Sequence, residues 1–315
     1  MKIAFLTEGG FEGKYPRNHP NARVDVAWQV ALDAYHLPMY TNWANALNYE
    51  FDLVIWIIPK KNIEYVMKNY DFVEIMRKIS KKVAIMQEGP SWFFQDYPLD
   101  QQIWFYNQLC SVDTIYAHNY NDMRYFQGLT NHKDVKILQS VMVEDSINTE
   151  LLTKPEDRKN VIIGGNMCRW YGGFDSLITA QELELPIYAP AMGRKIEGEE
   201  QIVNILPYVQ WNQWIQQLSQ FKYAVHLMPT QAAGTFALNC AYLGIPCVGY
   251  SGLDTQEALF PHLTVEPGDV RDAKHWLKKL QTDEEFYQMT VDVAKKYYQE
   301  FYTEEKFKES FYEEL

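Results

Sequence analysis

The sequence predicts an α/β protein made of two doubly wound domains, and three observations carry that expectation. First, short apolar runs of strand length, such as KIAFLT (2–7), FDLVIWIIP (51–59), NVIIGG (160–165) and KYAVHLMP (222–229), alternate with stretches of helical periodicity. That alternation marks βαβ units and parallel sheets. Second, the runs are apolar almost throughout, as strands covered on both faces require. Third, the pattern stops at a polar stretch, EDSINTELLTKPEDRK (144–159), and then starts again. At 315 residues the chain exceeds the ~100–200 of one typical domain. The expected division is a first domain over 1–143, a linker over 144–159, a second domain over 160–295 and a closing helix over 296–315.

The elements follow in order. KIAFLT ends at Gly9, Gly10 and Gly13, and VDVAWQVALDAYH (24–36) repeats its apolar residues at helical spacing. Pro59 stops the second apolar run. A helix over about 62–79 leads to a strand, KVAIMQ (82–87), and a loop, EGPSWFFQDYP. Helices near 100–111 and 121–129 flank DTIYAH (113–118), and KILQSVMV (136–143) is the last strand of the first domain. In the second half, NVIIGG precedes a helix near 174–184 and the strand LPIYAPA (185–191). WNQWIQQLSQ (211–220) sets Trp211, Trp214, Ile215 and Leu218 on one helical face, read as core. KYAVHLMP, a helix, IPCVGY (245–250), a short helix near 254–259, LTVE (263–266) and helical patterns from about 269 onward complete the chain. Ligands of open α/β sheets bind outside the carboxyl ends of the strands, so a cleft between the two domains is the expected site.

Bulk properties narrow the function. The net charge is −12, and the last 35 residues, with ten acidic and four basic side chains, supply half of it. The charge argues against a generally basic, nucleic-acid-coating surface, but Lys60, Lys61, Lys68, Arg77, Lys78, Lys81 and Lys82 leave room for a local basic face. No apolar stretch reaches the ~18–20 residues of a membrane span. The opening MKIAFLTEGG reads as a strand rather than a signal peptide, so the expected location is the cytoplasm. Cys110, Cys168, Cys240 and Cys247 form no CxxC pair and sit in apolar segments, the pattern of reduced core residues. The seven histidines show no ligand spacing, so no metal site is expected.

The stretch TQAAGTFALNCAYLGIPCVG (230–249) carries the chemistry. It sets a small turn at the carboxyl end of a strand, directly before a helix. Gly234 allows close approach of backbone to ligand, and Thr235 lies at or near the helix N-cap. A helix N-terminus offers unpaired N–H donors and about half a positive charge, which suits a phosphate. Two further strand ends supply Arg169, in NVIIGGNMCRWYGG, and Arg194 and Lys195, in IYAPAMGRKIEG. Charge-assisted contacts are worth about 1.5–3 kcal/mol each, enough to hold a diphosphate.

In these residues the chain resembles the GT-B-fold glycosyltransferases, and in particular their large retaining family. That family runs from a strand ending in Pro-Ser to a Glu, a Gly-containing turn, a helix with a second Glu, Gly-x-Pro-Val and a Gly-Gly turn; MPTQAAGTFALNCAYLGIPCVGYSG fits this frame position by position. NVIIGGNMCRWYGG is similar to the family's Gly-Arg…Lys-Gly opening, and VEPGDV follows the last strand as in the family. The motif-quality match spans about 160 to 270; the first domain fits more loosely, through the loop after its first strand, IMQEGPSW and DTIYAHNYND. The resemblance implies two Rossmann-like domains, with the closing helix returning to the first and burying Tyr297, Tyr298, Phe301, Phe307 and Phe311.

It further implies transfer of a sugar from a nucleotide-diphosphate donor, UDP being the expected nucleotide, with retention and without a metal or other cofactor. The acceptor would be a glycan, a lipid-linked sugar or a hydroxymethylated base of viral DNA, with no stable membrane insertion. The family's Glu-x7-Glu pair falls on Gln231 and Asn239, which keep hydrogen-bonding capacity and lose the charge. Gln231 cannot be a carboxylate nucleophile, so the leaving diphosphate is left to accept the acceptor's proton; a non-catalytic nucleotide- or sugar-binding module is the alternative. Glu257 stands where it can supply a ribose-contacting carboxylate or a plain surface charge. In the first domain, Gly9 and Gly10 would approach the donor, Glu88 would face the sugar, and His19 or Asp25 would serve as general base in an inverting variant.

Overall fold

The computed structural model describes residues 1–39, 47–59, 62–87, 89–131, 134–165, 167–191 and 198–315. The chain divides into two compact units, one of Met1–Arg17, Asp25–Gln139 and Lys308–Leu315, the other of Asn18–Val24 and Ser140–Phe307.

The first unit contains β1 (Ile3–Thr7), α1 (Asp25–Ala31), β2 (Tyr35–Pro38), β3 (Phe51–Ile58), α2 (Ile63–Asn69), α3 (Phe72–Ile79), β4 (Ser80–Gln87), α4 (Leu99–Ser111), β5 (Thr114–Ala117), α5 (Tyr120–Thr130) and β6 (Val135–Ile137). All strand pairs are parallel, in the order β2-β1-β3-β4-β5-β6. β1 and β3 are apolar because helices cover both faces; Phe5, Val54, Ile55 and Trp56 are fully buried. α3 docks through Phe72, Val73, Met76 and Ile79, a helical stripe whose members gain about 1.5–3 kcal/mol each on burial.

Three local expectations change. The helix over 62–79 is two helices, because Asp71 accepts from the Glu74 N–H (3.0 Å) and so caps a new start. The stretch 24–36 ends its helix early, at a left-handed Asp33 (φ 50°), and Tyr35–Pro38 becomes an edge strand beside β1. Only Val135–Ile137 of the expected 136–143 strand pairs with β5; after Leu138 binds the Ala117 carbonyl, the chain leaves the sheet.

The second unit contains β7 (Lys159–Ile163), α6 (Gly173–Ala180), β8 (Ile187–Pro190), β9 (Asn204–Leu206), α7 (Trp211–Leu218), β10 (Phe221–His226), α8 (Thr235–Leu243), β11 (Cys247–Tyr250), α9 (Asp254–Leu259), β12 (Thr264–Val265), α10 (Val270–Thr282) and α11 (Glu284–Tyr297). Its sheet is also parallel, in the order β12-β11-β10-β7-β8-β9. The strand order reverses between β7 and β10, which is the switch point where doubly wound sheets open a crevice.

A π-helical turn, Tyr298–Tyr302, joins α11 to α12 (Glu304–Glu313). The wider turn inserts a residue into the helical repeat. Tyr302 is therefore buried where Phe301 was expected, and Phe301 is 45% exposed, while Tyr298, Phe307 and Phe311 are buried as anticipated. Cys110 also departs from its expected core position and is exposed, whereas Cys168, Cys240 and Cys247 are buried. None of the helices described is long and apolar enough to cross a membrane.

Candidate functional site

The mouth of the second sheet is shaped by glycines that neighbouring groups leave no room to replace. Gly164 follows β7, and a Cβ there would lie 2.4 Å from the His226 ring at the end of β10. Gly172 adopts φ +62°, and its Cβ would meet the Leu227 carbonyl oxygen at 1.7 Å. Gly234, at φ +67°, is the N-cap of α8, and the Thr255 hydroxyl occupies the space of its missing side chain while donating to its carbonyl (2.9 Å). Thr235 thus begins the helix rather than capping it, and no side chain caps α8. The first-turn amides keep the partial positive charge that a helix start carries.

These elements enclose a cavity of about 220 Å³. Gly164, the ends of β8 and β9, the first turns of α7 and α8, and the segment Ala22–Val24 form its walls. Of the predicted donor-site residues, Thr235 and Asn239 line it. Asn239 is buried, and with its amide assigned by its neighbours Oδ1 accepts from Trp214 Nε1 (3.2 Å) and Nδ2 donates to the Thr235 carbonyl (3.3 Å). The Trp face of α7 is therefore not plain core, since Trp211 and Trp214 form one wall of the cavity.

The other predicted residues lie elsewhere. Gln231 packs on the Gly252 backbone, where a Cβ would meet its Nε2 at 2.2 Å. Glu257 is exposed and accepts from the Gly252 N–H (2.6 Å), so it braces the turn that Gln231 covers. Arg169 is exposed, in a short helical turn after β7, and is not among the cavity-lining residues. Arg194, Lys195 and Glu88 lie outside the described residues. Gly9 and Gly10 follow β1 in the first unit. Gly9 has φ +132° and lies against His36, whereas a Cβ on Gly10 would meet no described atom within 4 Å. Asp25 opens α1 of that unit. His19 belongs to the second unit, where its Nδ1 accepts from the Asn21 N–H (3.2 Å) and burial lowers its pKa.

Sequence reasoning missed several residues of this mouth. Asn21 caps α7 from 190 residues away: Oδ1 accepts from the Trp211 N–H (3.2 Å) and from Arg23 Nε (3.0 Å), while the Asn212 N–H donates to the Pro20 carbonyl (3.0 Å). Arg23 also donates to the Val209 carbonyl (3.0 Å), and its guanidinium sits 5.2 Å from the centre of the Tyr208 ring. His226 is 7% exposed, packs edge-on to Phe236, and has no partner for Nε2 among the described residues; burial lowers its pKa to about 4. No periodicity or motif marks a cap or a cation delivered from so far along the chain.

Most of the local basic face is paired with carboxylates where it is described, and Lys82 donates instead to the Leu315 oxygen (2.9 Å). Lys68 pairs with Glu64, Arg77 with Asp113 (3.3 Å), Lys78 with Glu74 (2.9 Å) and Lys81 with Asp52 (2.6 Å). Lys60 and Lys61 lie outside the described residues. Among the described residues, no group of three His, Cys, Asp or Glu side chains is placed to hold a metal ion.

No family model matches the chain, and no curated protein matches it in sequence. Solved structures do match over its whole length. An alpha-glucosyltransferase in complex with UDP and a 13-mer DNA containing an HMU base is similar at a TM-score of 0.69 and 12% identity, over 99% of this chain and 98% of that one. Anabaena Alr3699/HepE in complex with UDP aligns at 0.67 and 12%, over 99% of both chains. Sucrose-phosphate synthase from Thermosynechococcus elongatus aligns at 0.67 and 10%, over 99% of this chain and 98% of that one. The fold is GT-B. Two parallel six-stranded sheets with flanking helices are the architecture that these neighbours share with it.

Proposed function

We propose that the chain is a glycosyltransferase that takes a sugar from a nucleotide-diphosphate donor, and that the cavity in the second unit receives the nucleotide. One observation carries this reading: at the switch point of the second sheet, a cavity of about 220 Å³ brings Gly164 and the uncapped first turn of α8 together. Backbone amides and a helix dipole at such a position favour a diphosphate. The apolar walls of Trp211, Trp214 and Phe236 suit a base and ribose, and Asn239 adds an amide. The fold likeness to UDP-bound neighbours supports UDP as the nucleotide.

The chemistry follows from what Gln231 lacks. Gln231 offers no carboxylate for a covalent intermediate, and in the path we propose the departing diphosphate serves as the base, so that transfer proceeds on one face of the sugar. The bond from the anomeric carbon to the diphosphate breaks, the acceptor oxygen bonds to that carbon, and the hydroxyl proton passes to the departing phosphate oxygen. Retention follows, without a metal ion. The paired lysines and arginine of the first unit favour an uncharged hydroxyl acceptor, on a glycan or a lipid-linked sugar, over duplex DNA.

Calorimetric titration of the full chain with UDP, GDP, ADP and CDP, in the presence of a chelator, tests this directly. UDP is expected to bind, and UDP-glucose to be hydrolysed slowly with the α configuration kept. A chain that binds none of the four and turns over none of their sugars is not a transferase of this kind.

A further inference from the structure

Arg23 is the one charged side chain among the described residues lining the cavity. Its contacts are neutral: the Asn21 amide oxygen, the Val209 carbonyl and the face of Tyr208. Among the described residues no carboxylate pairs with it, although it is half-buried. A guanidinium taken partly out of water without a counter-ion is costly, and the cost is recovered when an anion arrives. The uncapped start of α8 lines the same cavity and attracts the same charge.

The way Arg23 is held adds to this. Residues 18–24 precede α1 in sequence yet belong to the second unit, stapled to α7 by Asn21 and Pro20. Asn21 supplies a cap that α7 lacks from its own N-cap residue, Gln210. The same oxygen orients the Arg23 Nε. One side chain therefore fixes both the tryptophan wall and the cation beside it. Tyr208 is 70% exposed, so its contact with the guanidinium is weak and gives way readily to an anionic partner.

We propose that Arg23 binds the diphosphate of the donor together with the α8 amides that line the same cavity, and that Asn21 is the residue that positions it. This inference rests on the nucleotide reading of the cavity and assigns its anion-binding cation to residues 18–24, rather than to the strand-end loops alone.

The experiment compares full-length wild type, Arg23→Ala, Arg23→Lys and Arg23→Gln by calorimetry with UDP and with uridine, at several potassium chloride concentrations. Arg23→Ala is expected to weaken UDP tenfold or more while leaving uridine unchanged, with Arg23→Lys intermediate. Arg23→Gln keeps a donor for the Val209 carbonyl without the charge; it should lose UDP affinity and show a shallower salt dependence. It also covers the case in which the alanine variant fails to fold. Equal UDP affinity in wild type and Arg23→Gln overturns the assignment, as does an equal loss for UDP and uridine, which means that Arg23 shapes the base site. Wild type that binds no nucleotide overturns the function itself, a different result from variants that bind as well as wild type.

Discussion

The two sheets carry glycines at their mouths for opposite reasons. In the second unit four of the glycines that follow strands are pressed by a neighbour, Gly164 by His226, Gly172 by the Leu227 carbonyl, Gly234 by Thr255 and Gly252 by Gln231, whereas Gly268, after β12, meets nothing within 4 Å. In the first, Gly10 faces open space and Gly9 meets only His36, at 3.3 Å. The second mouth is a packed assembly around its cavity. In the first, the missing side chain at Gly10 leaves a gap that no described atom fills. A glycine therefore signals close approach of protein to protein in one place, and room beside the backbone in the other.

Substitution breaks this comparison most sharply at Gly172. An alanine there must hold a left-handed backbone and place a methyl group on a carbonyl oxygen, which costs about 4 kcal/mol. Urea unfolding of Gly172→Ala should show this loss, and a change of under about 1 kcal/mol would mean that the strand ends are not locked as described.

A smaller effect comes from the buried histidines, one beneath each mouth. His226 and His36 have pKa values lowered to about 4 by burial. In the unfolded chain an imidazole protonates near pH 6.5. Between these values the unfolded chain binds more protons, so folding stability falls as the pH drops from about 6.5 to about 4. For His226 the full loss is on the order of 3 kcal/mol. His226→Phe, which preserves the aromatic contact with Phe236, should flatten that slope in stability measured from pH 7 to pH 4. An unchanged slope would show that His226 is not the titrating group.

The smallest expected change in stability belongs to Gly10→Ala, within about 0.5 kcal/mol, because nothing crowds the new methyl group. Its effect should be on catalysis, as a fall in transfer rate with UDP affinity kept. A variant that transfers at the wild-type rate removes the first-sheet glycine loop from the site.

Much of this was legible in the sequence. The nearly all-apolar runs 51–58 and 160–163 form central strands of their sheets, and the turn before Thr235 is a helix start at a strand end. The site was legible only in part. Thr235 and Asn239 reach the cavity because they lie on the first turns of one helix, so sequence spacing alone brings them together. Gln231 and Glu257 meet at the Gly252 turn, which both brace, a contact set by how α9 folds back. Arg23 was not anticipated, since a guanidinium held by the Val209 carbonyl depends on a chain path of 186 residues that no local pattern records.

By itself the sequence determined most of the local things: the central strands, most helix starts, and that two parallel sheets follow one another. Those outcomes depend on hydrophobic period and on backbone freedom, both of which act between near neighbours. The tertiary structure alone decided which side chains share the cavity, which glycines have no room for a methyl group, and which unit owns residues 18–24. These depend on packing between groups far apart in the chain, where a single hydrogen bond such as Asn21 to Trp211 outweighs any regional propensity.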